Sequence, residues 1–247
     1  EAKREITMIW IQDKTGRFPE RPHYELKELD LDCEEFSHRI LRERHNGELI
    51  FPIPTDDLTV MIERSDADLD MYADFSADGP TVEGVTEFAY GKKPFVRVSK
   101  LLTEDTILEN RLRTTLTHEC GHVRFHRFLW DMKGANYSLF PENRTKRQIC
   151  KREKIVQAGV YDWMEWQAGY CCGALLMPMS NVKKTMHSFM LRQGTGPFPL
   201  GELTRAAEAL INCVASEFGV SRLAARIRLL QIGGLEAFSG ERPGLWS

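Results

Sequence analysis

The chain has 247 residues, 42% of them hydrophobic, and a formal charge of −3, enough apolar material for one large domain or one with an appendage. So small a charge leaves no global field to draw nucleic acid or a membrane surface as the main partner, and no apolar run approaches the roughly 18 residues that read as a bilayer span. The six cysteines (33, 120, 150, 171, 172 and 213) are scattered, a poor disulfide framework that, with nothing resembling a signal peptide, leads us to expect a cytoplasmic protein.

Residues 1–50 read as a charged N-terminal extension. It holds a short strand at 6–11 and a helix over 24–45 with Leu26, Leu29, Phe36, Ile40 and Leu41 on its apolar face. Pro52 and Pro54 break any helix at that joint, and Asp56 and Asp57 suit the N-terminus of a short helix to about Glu63. Between 56 and 78, eight Asp/Glu and one Arg give a net of −7, which reads as a solvated acidic loop. Residues 84–90 and 95–99 alternate apolar and polar side chains, with Gly91 and Pro94 in a hairpin turn between them. The second of these strands is expected at a sheet edge, where a bound peptide could add as a further strand.

Thr103, followed by Glu104 and Asp105, is expected to cap one long helix running to about Trp130. From 142 to 154, six Lys/Arg against two Glu give a net of +4. This interval reads as a solvated insertion, with contact to an acidic partner as the other reading. Cys150 within it is either a regulatory thiol or an inert one. A helix over about 161–177 stops before Pro178, and 194–201 is a loop rich in Gly and Pro. Helices over about 202–217 and 221–230 make the C-terminal region, 186–247, helical.

The most informative motif lies in the long helix: His118-Glu119-Cys120-Gly121-His122. Residues four apart stand one above the other on a helix, so both imidazoles leave the same face and can hold a divalent metal, Zn²⁺ being the usual choice for such ligands. Glu119 can then take the proton of a water held by that metal. Leu112, Leu116, Val123 and Phe125 mark the helix as partly buried, and Gly121 in mid-helix suggests a close backbone approach. Glu165, 43 residues past His122 and surrounded by Trp163, Met164, Trp166, Ala168, Leu175 and Leu176, would suit a third ligand on a second helix, because a buried carboxylate requires a cation. His126 continues the histidine row and is expected behind or beyond His122 rather than on the metal. Cys120 turns away from that face, and Cys171 and Cys172 are expected to pack in the core. Tyr170 is a candidate oxyanion donor, with packing or a structural hydrogen bond as its other role.

The motif together with Glu165, Ala168, Ala174, Leu175, Leu176, Met177 and Pro178 resembles the ImmA/IrrE family of metallopeptidases. The likeness extends upstream to 95–99 and downstream to Phe218, Gly219, Val220, Ser221 and 226–230, covering about residues 51–235. At Gly169, Cys171 and Cys172 the chain departs from the family pattern, which usually has Asn or Asp after the Ala and a Phe-Ala pair. The resemblance implies an α+β, zincin-like (gluzincin-like) fold over 51–185, with a small mixed sheet packed on the histidine helix and on a second, Glu-bearing helix. It also implies a zinc site of His118, His122 and Glu165, Glu119 as catalytic base, and a protein substrate such as a transcriptional repressor in a stress response.

Two other classes of function stand beside that expectation. Residues 215–226 have the Ala, Gly and Val spacing of a helix-turn-helix, so a non-catalytic zinc-bearing regulator could bind DNA or a protein through its C-terminal helices. Residues 201–247 carry five Arg and five Glu, however, which is no basic footprint for DNA. The third is the toxin of a toxin–antitoxin pair. Oligomeric state leaves no mark on the sequence.

Overall fold

The first strands, β1 (Ile9–Gln12) and β2 (Glu20–His23), form an antiparallel hairpin. Asp13 organises its turn by accepting from the Thr15 hydroxyl at 2.7 Å and the Phe18 N–H at 3.0 Å. In this computed structural model the described residues are 9–79, 81–136, 146–151 and 162–238, with 131–136 and 146–151 described as backbone. Helix α1 (Leu26–Arg44) follows, its Leu29, Cys33, Phe36 and Ile40 recurring at the helical period and all buried. Helix α2 (Thr55–Arg64) begins directly after Pro54, with Asp56 and Asp57 in its first turn, where carboxylates favour the positive end of the helix dipole.

A four-stranded sheet comes next, in the order β3-β5-β4-β6, built from β3 (Asp68–Ala73), β4 (Val82–Phe88), β5 (Phe95–Ser99) and β6 (Lys146–Lys151). Here the structure corrects three expectations. The acidic stretch supplies β3, because Leu69 and Met71 alternate with its aspartates and pack on the core. Strand β5 is interior, parallel to β3 and antiparallel to β4, so it offers no free edge to a peptide. Part of the basic interval is a strand, β6, antiparallel to β4 on that strand's other side.

Short helix α3 (Lys100–Glu104) and a 3-10 turn (Thr106–Leu108) lead into α4 (Glu109–Asn136). Thr103 therefore does not cap the long helix; its hydroxyl donates to the Met71 carbonyl at 2.6 Å, while Asp105 accepts from the Ile107 N–H. Helix α5 (Trp163–Leu176) ends before Pro178, and α6 (Met179–Gln193), unforeseen from sequence, starts immediately after it. Helices α7 (Arg205–Phe218) and α8 (Arg222–Gln231), with the two-residue strands β7 (Leu200–Gly201) and β8 (Leu235–Glu236), complete the described chain.

The architecture is mixed α+β, mostly helical with small sheets. One apolar cluster runs through it, with Phe36 of α1, Met61 of α2, Val96 of β5, Leu116 of α4, Leu175 of α5, Phe189 of α6, Leu210 of α7 and Leu229 of α8. Residues from the N-terminal, central and C-terminal segments thus share a core. Buried Arg113 of α4 reinforces it, donating to the carbonyls of Ile53, Phe218 and Gly219. Among the described residues no helix is long and apolar enough to cross a membrane.

Candidate metal centre

Helix α4 places His118 and His122 one turn apart on the face that meets α5. The two helices touch most closely at Gly121, where a Cβ would stand 3.1 Å from the Ala168 Cα and 3.2 Å from the Cys171 Cβ. Any larger residue would hold α5 away, so the close approach expected of this glycine is present. Glu165 lies one turn before Ala168 on the same side of α5 and is thereby delivered to the histidines. The Nε2 atoms of His118 and His122 are 3.1 Å apart, and each lies 3.5 Å from a different Glu165 carboxylate oxygen. All three side chains are buried, with ligand atoms within 4.8 Å of one another, and they could hold a metal ion. Donors 2.0–2.1 Å from a tetrahedral ion stand about 3.3 Å apart, so the observed spacing fits three corners around a small divalent ion.

Glu119 points to the sheet. Its Oε2 accepts from the Thr86 hydroxyl of β4 at 2.5 Å. Its Oε1 occupies space that only a glycine at 84 leaves, since a Cβ there would come within 2.5 Å of that oxygen. One strand residue therefore grips the carboxylate and another makes room for it. Nearby, Glu83 accepts from Arg111 and, at 3.4 Å, from the Thr115 hydroxyl. Arg111, Thr115 and Glu119 form the i, i+4 row by which α4 faces β4.

Behind the centre runs a hydrogen-bonded file. His122 Nδ1 lies 3.0 Å from His126 Nδ1, and His126 Nε2 lies 3.0 Å from Gln167 Oε1. An amide oxygen only accepts, so His126 carries its proton on Nε2 and presents a bare Nδ1. That atom accepts from His122 Nδ1–H, which leaves His122 Nε2 bare toward Glu165, the tautomer a metal requires. Burial, and next the charge on His122, hold the His126 pKa well below the ordinary histidine value. Burial opposes ionisation of Glu165, yet His118 and His122, which donate to it when they carry an extra proton, outweigh this and its pKa falls below the ordinary carboxylate value. Burial likewise opposes charge on His122, but Glu165 and then Glu119 raise its pKa overall. A proton and a cation thus compete for one cluster.

The far side is walled by aromatic rings. Trp163 meets His126 edge-on at 5.5 Å between centroids, and Phe18, Phe88, Trp130, Trp163 and Met164 form a second apolar cluster. The N-terminal hairpin docks there through the Trp163 Nε1–H, which donates to Asp13 at 3.2 Å, and through Arg17, which pairs with Asp162 at 3.2 Å. This first segment, read from sequence as a charged extension, closes one side of the centre.

Other sequence candidates fall elsewhere. The Tyr170 hydroxyl donates to Asp30 of α1 at 2.8 Å, a structural hydrogen bond, the other role expected for it. In the segment read as a possible helix-turn-helix, Arg222 pairs with Glu208 and Arg226 with Glu202. Cys120, Cys171 and Cys172 are buried, and burial pushes the Cys120 thiol up to about 12 and that of Cys172 to about 11. The Cys150 side chain lies outside the described residues, as does the rest of the basic interval beyond β6. Sequence reading missed Gly84, Thr86, Glu83 and Gln167, because each acts across a contact between elements distant in the chain. No family profile, no curated protein and no solved structure matches the chain.

Proposed function

We propose that the chain is a cytoplasmic, zinc-dependent endopeptidase of restricted specificity, zincin-like and related to the ImmA/IrrE metallopeptidases. In this reading its substrate is a regulatory protein such as a transcriptional repressor. The observation that carries the reading is the juxtaposition of a three-donor face, His118, His122 and Glu165, with a fourth group, Glu119, held by the Thr86 hydroxyl. Two imidazoles and a carboxylate are a donor set that zinc favours in catalytic sites, where a fourth position stays open. A structural site alone would have no use for a glutamate held beside the ligands.

Zinc held by these residues supplies Lewis acidity, which activates water and polarises the scissile carbonyl. Glu119 accepts the water proton on its carboxylate and returns it to the departing amine. Thr86 keeps that carboxylate aimed while the proton moves, in the space that Gly84 leaves for it. His126 and Gln167 hold His122 in its ligating tautomer throughout. The test is zinc content by elemental analysis, read beside cleavage of a fluorogenic peptide library. Wild type is expected to hold one zinc per chain, Glu165→Ala none, and Glu119→Gln one, with turnover reduced about 10²- to 10⁴-fold in the last. Folded wild type without zinc, or undiminished turnover in Glu119→Gln, would sink the proposal.

One observation favours a second reading. His118, Glu119, His122 and Glu165 are each only 0–1% exposed, as in a metal site that stabilises a scaffold. In that case the chain is a non-catalytic regulator that presents its C-terminal helices to a protein partner. One zinc per chain, with Glu119→Gln changing no readout, would select it.

A further inference from the structure

The two rows that carry the metal donors continue past them into a cavity. On α4, Asn110 and Thr114 precede His118 and His122 at the i, i+4 interval, and on α5 Gly169 and Gly173 follow Glu165 at the same interval. The two helices run antiparallel: Gly121 lies against Ala168, and one turn earlier the Thr117 hydroxyl donates to Cys172 Sγ at 3.2 Å. Asn110, Thr114, Gly169 and Gly173 therefore stand on one side of the centre, and all four line a cavity of about 340 Å³, at the small end of the range for ligand pockets. Helix α8 adds a further wall. Glu83 of β4, next to the Gly84 that makes room for Glu119, joins the lining at the sheet.

The lining offers apolar surface and no unpaired charge. Arg111 pairs with Glu83 and Arg228 with Asp30. Arg228 is 1% exposed, and its Nη1, the Arg111 Nε and the Gln231 Oε1 are buried, out of a ligand's reach. Two hydroxyls are engaged locally: Thr114 donates to the Asn110 carbonyl at 2.7 Å, and Ser221 accepts from the Ala224 N–H at 3.1 Å. What remains is chiefly the carbon and sulfur surface of Cys172, Leu176, Leu223, Ala224 and Ile227. A charged side chain placed there loses its hydration and meets no free counter-ion, whereas an apolar one gains by leaving water.

Distance indicates what such a side chain belongs to. Thr114 and Gly169 are each one helical turn, about 5.4 Å, from His118 and Glu165, roughly the reach of a leucine or phenylalanine side chain from its own backbone. We propose that the cavity is the specificity pocket of the centre. It takes a large apolar side chain (leucine, methionine or phenylalanine) from a residue that flanks the scissile bond. This inference rests on the peptidase reading and adds the substrate class to it. Gly173 sets the size of the pocket. Among the described residues outside its own helix, a Cβ there would meet nothing closer than the Arg228 Cδ at 3.7 Å and the Gln231 Oε1 at 3.8 Å, so a longer side chain has room to enter and displace the ligand.

The test presents the zinc-loaded full chain with alanine-flanked peptides that differ in one central residue: phenylalanine, leucine, alanine, glutamine or lysine. Mass spectrometry locates the cleaved bond and gives kcat/KM. Bonds flanked by phenylalanine or leucine are expected to be cleaved at least about tenfold faster than those flanked by alanine alone, since one methylene in an apolar pocket is worth about 10- to 200-fold. Gly173→Leu and Ala224→Leu narrow the pocket from α5 and from α8. Each is expected to lower kcat/KM for the phenylalanine peptide by about tenfold or more, to leave the alanine peptide nearly unchanged, and to keep the zinc. Binding separates this inference from the reading beneath it. In Glu119→Gln, methyl NMR of Leu223, Ala224 and Ile227 is expected to give the phenylalanine peptide a Kd at least about tenfold below that of the lysine peptide. That preference without cleavage by wild type sinks the peptidase and keeps the pocket. The inference is overturned, whatever the turnover, if Kd does not depend on the central residue, if lysine or glutamine is preferred, or if both variants keep the wild-type ratio of phenylalanine to alanine.

Discussion

Helix α5 takes part in two buried polar clusters whose contents differ in one respect. In the first, Asp30 accepts from the Tyr170 hydroxyl at 2.8 Å and from Arg228 at 2.6 Å, so both carboxylate oxygens are satisfied and charges cancel. In the second, His118, His122 and Glu165 turn lone pairs toward a common point, and the file through His126 keeps the facing nitrogen of His122 bare. Burial is equally complete in both. A cluster that cancels its own charge holds helices together; a cluster that converges acceptors calls for a cation.

The strongest way to break this contrast is Glu165→Ala. It is expected to take the metal content from one ion per chain to none while the Asp30 cluster keeps its geometry, as read by elemental analysis beside near-UV circular dichroism. Asp30→Asn should show the converse. It leaves the Arg228 charge buried without a counter-ion, at a cost of about 3–5 kcal/mol by urea unfolding, with metal stoichiometry unchanged. Loss of the metal in Asp30→Asn would mean that the two clusters are not independent.

His126→Phe sharpens the comparison further. It keeps a ring against Trp163 but removes the acceptor for His122, so metal affinity should fall about 10- to 100-fold, measured by competition with a chromogenic chelator. The smallest effect is expected in the hairpin. Burial resists charge on Asp13, yet hydrogen bonds from Thr15, Phe18 and Trp163 lower its pKa below 3.8. Its contribution is therefore present above the ordinary carboxylate value and is lost as pH falls through the lowered one. Asp13→Asn should cost about 1–2 kcal/mol at neutral pH, and the gap to wild type should close in urea titrations carried below pH 3.8.

The histidine pair and its glutamate were legible because an i, i+4 spacing already fixes which side chains share a helix face. Glu165 was legible because its apolar neighbours leave a carboxylate there in need of a cation. The boundaries of α1, α2 and α5 were legible within a few residues from prolines and apolar period. Strand β3 was hidden, because four aspartates within 66–74 masked an alternation of period two. Strand β6 was hidden because its order comes from pairing with β4 rather than from its own composition.

By itself, the sequence determined which residues could hold a metal, since helical periodicity is local and survives any arrangement of the remaining chain. Only the tertiary structure decided what surrounds them. Gly121 brings α5 within reach, Gly84 and Thr86 fix Glu119, and Gln167 sets a tautomer through His126. It also turned Tyr170 away to Asp30. Such choices rest on contacts between residues up to 140 positions apart, and no local pattern encodes which distant group a side chain will meet.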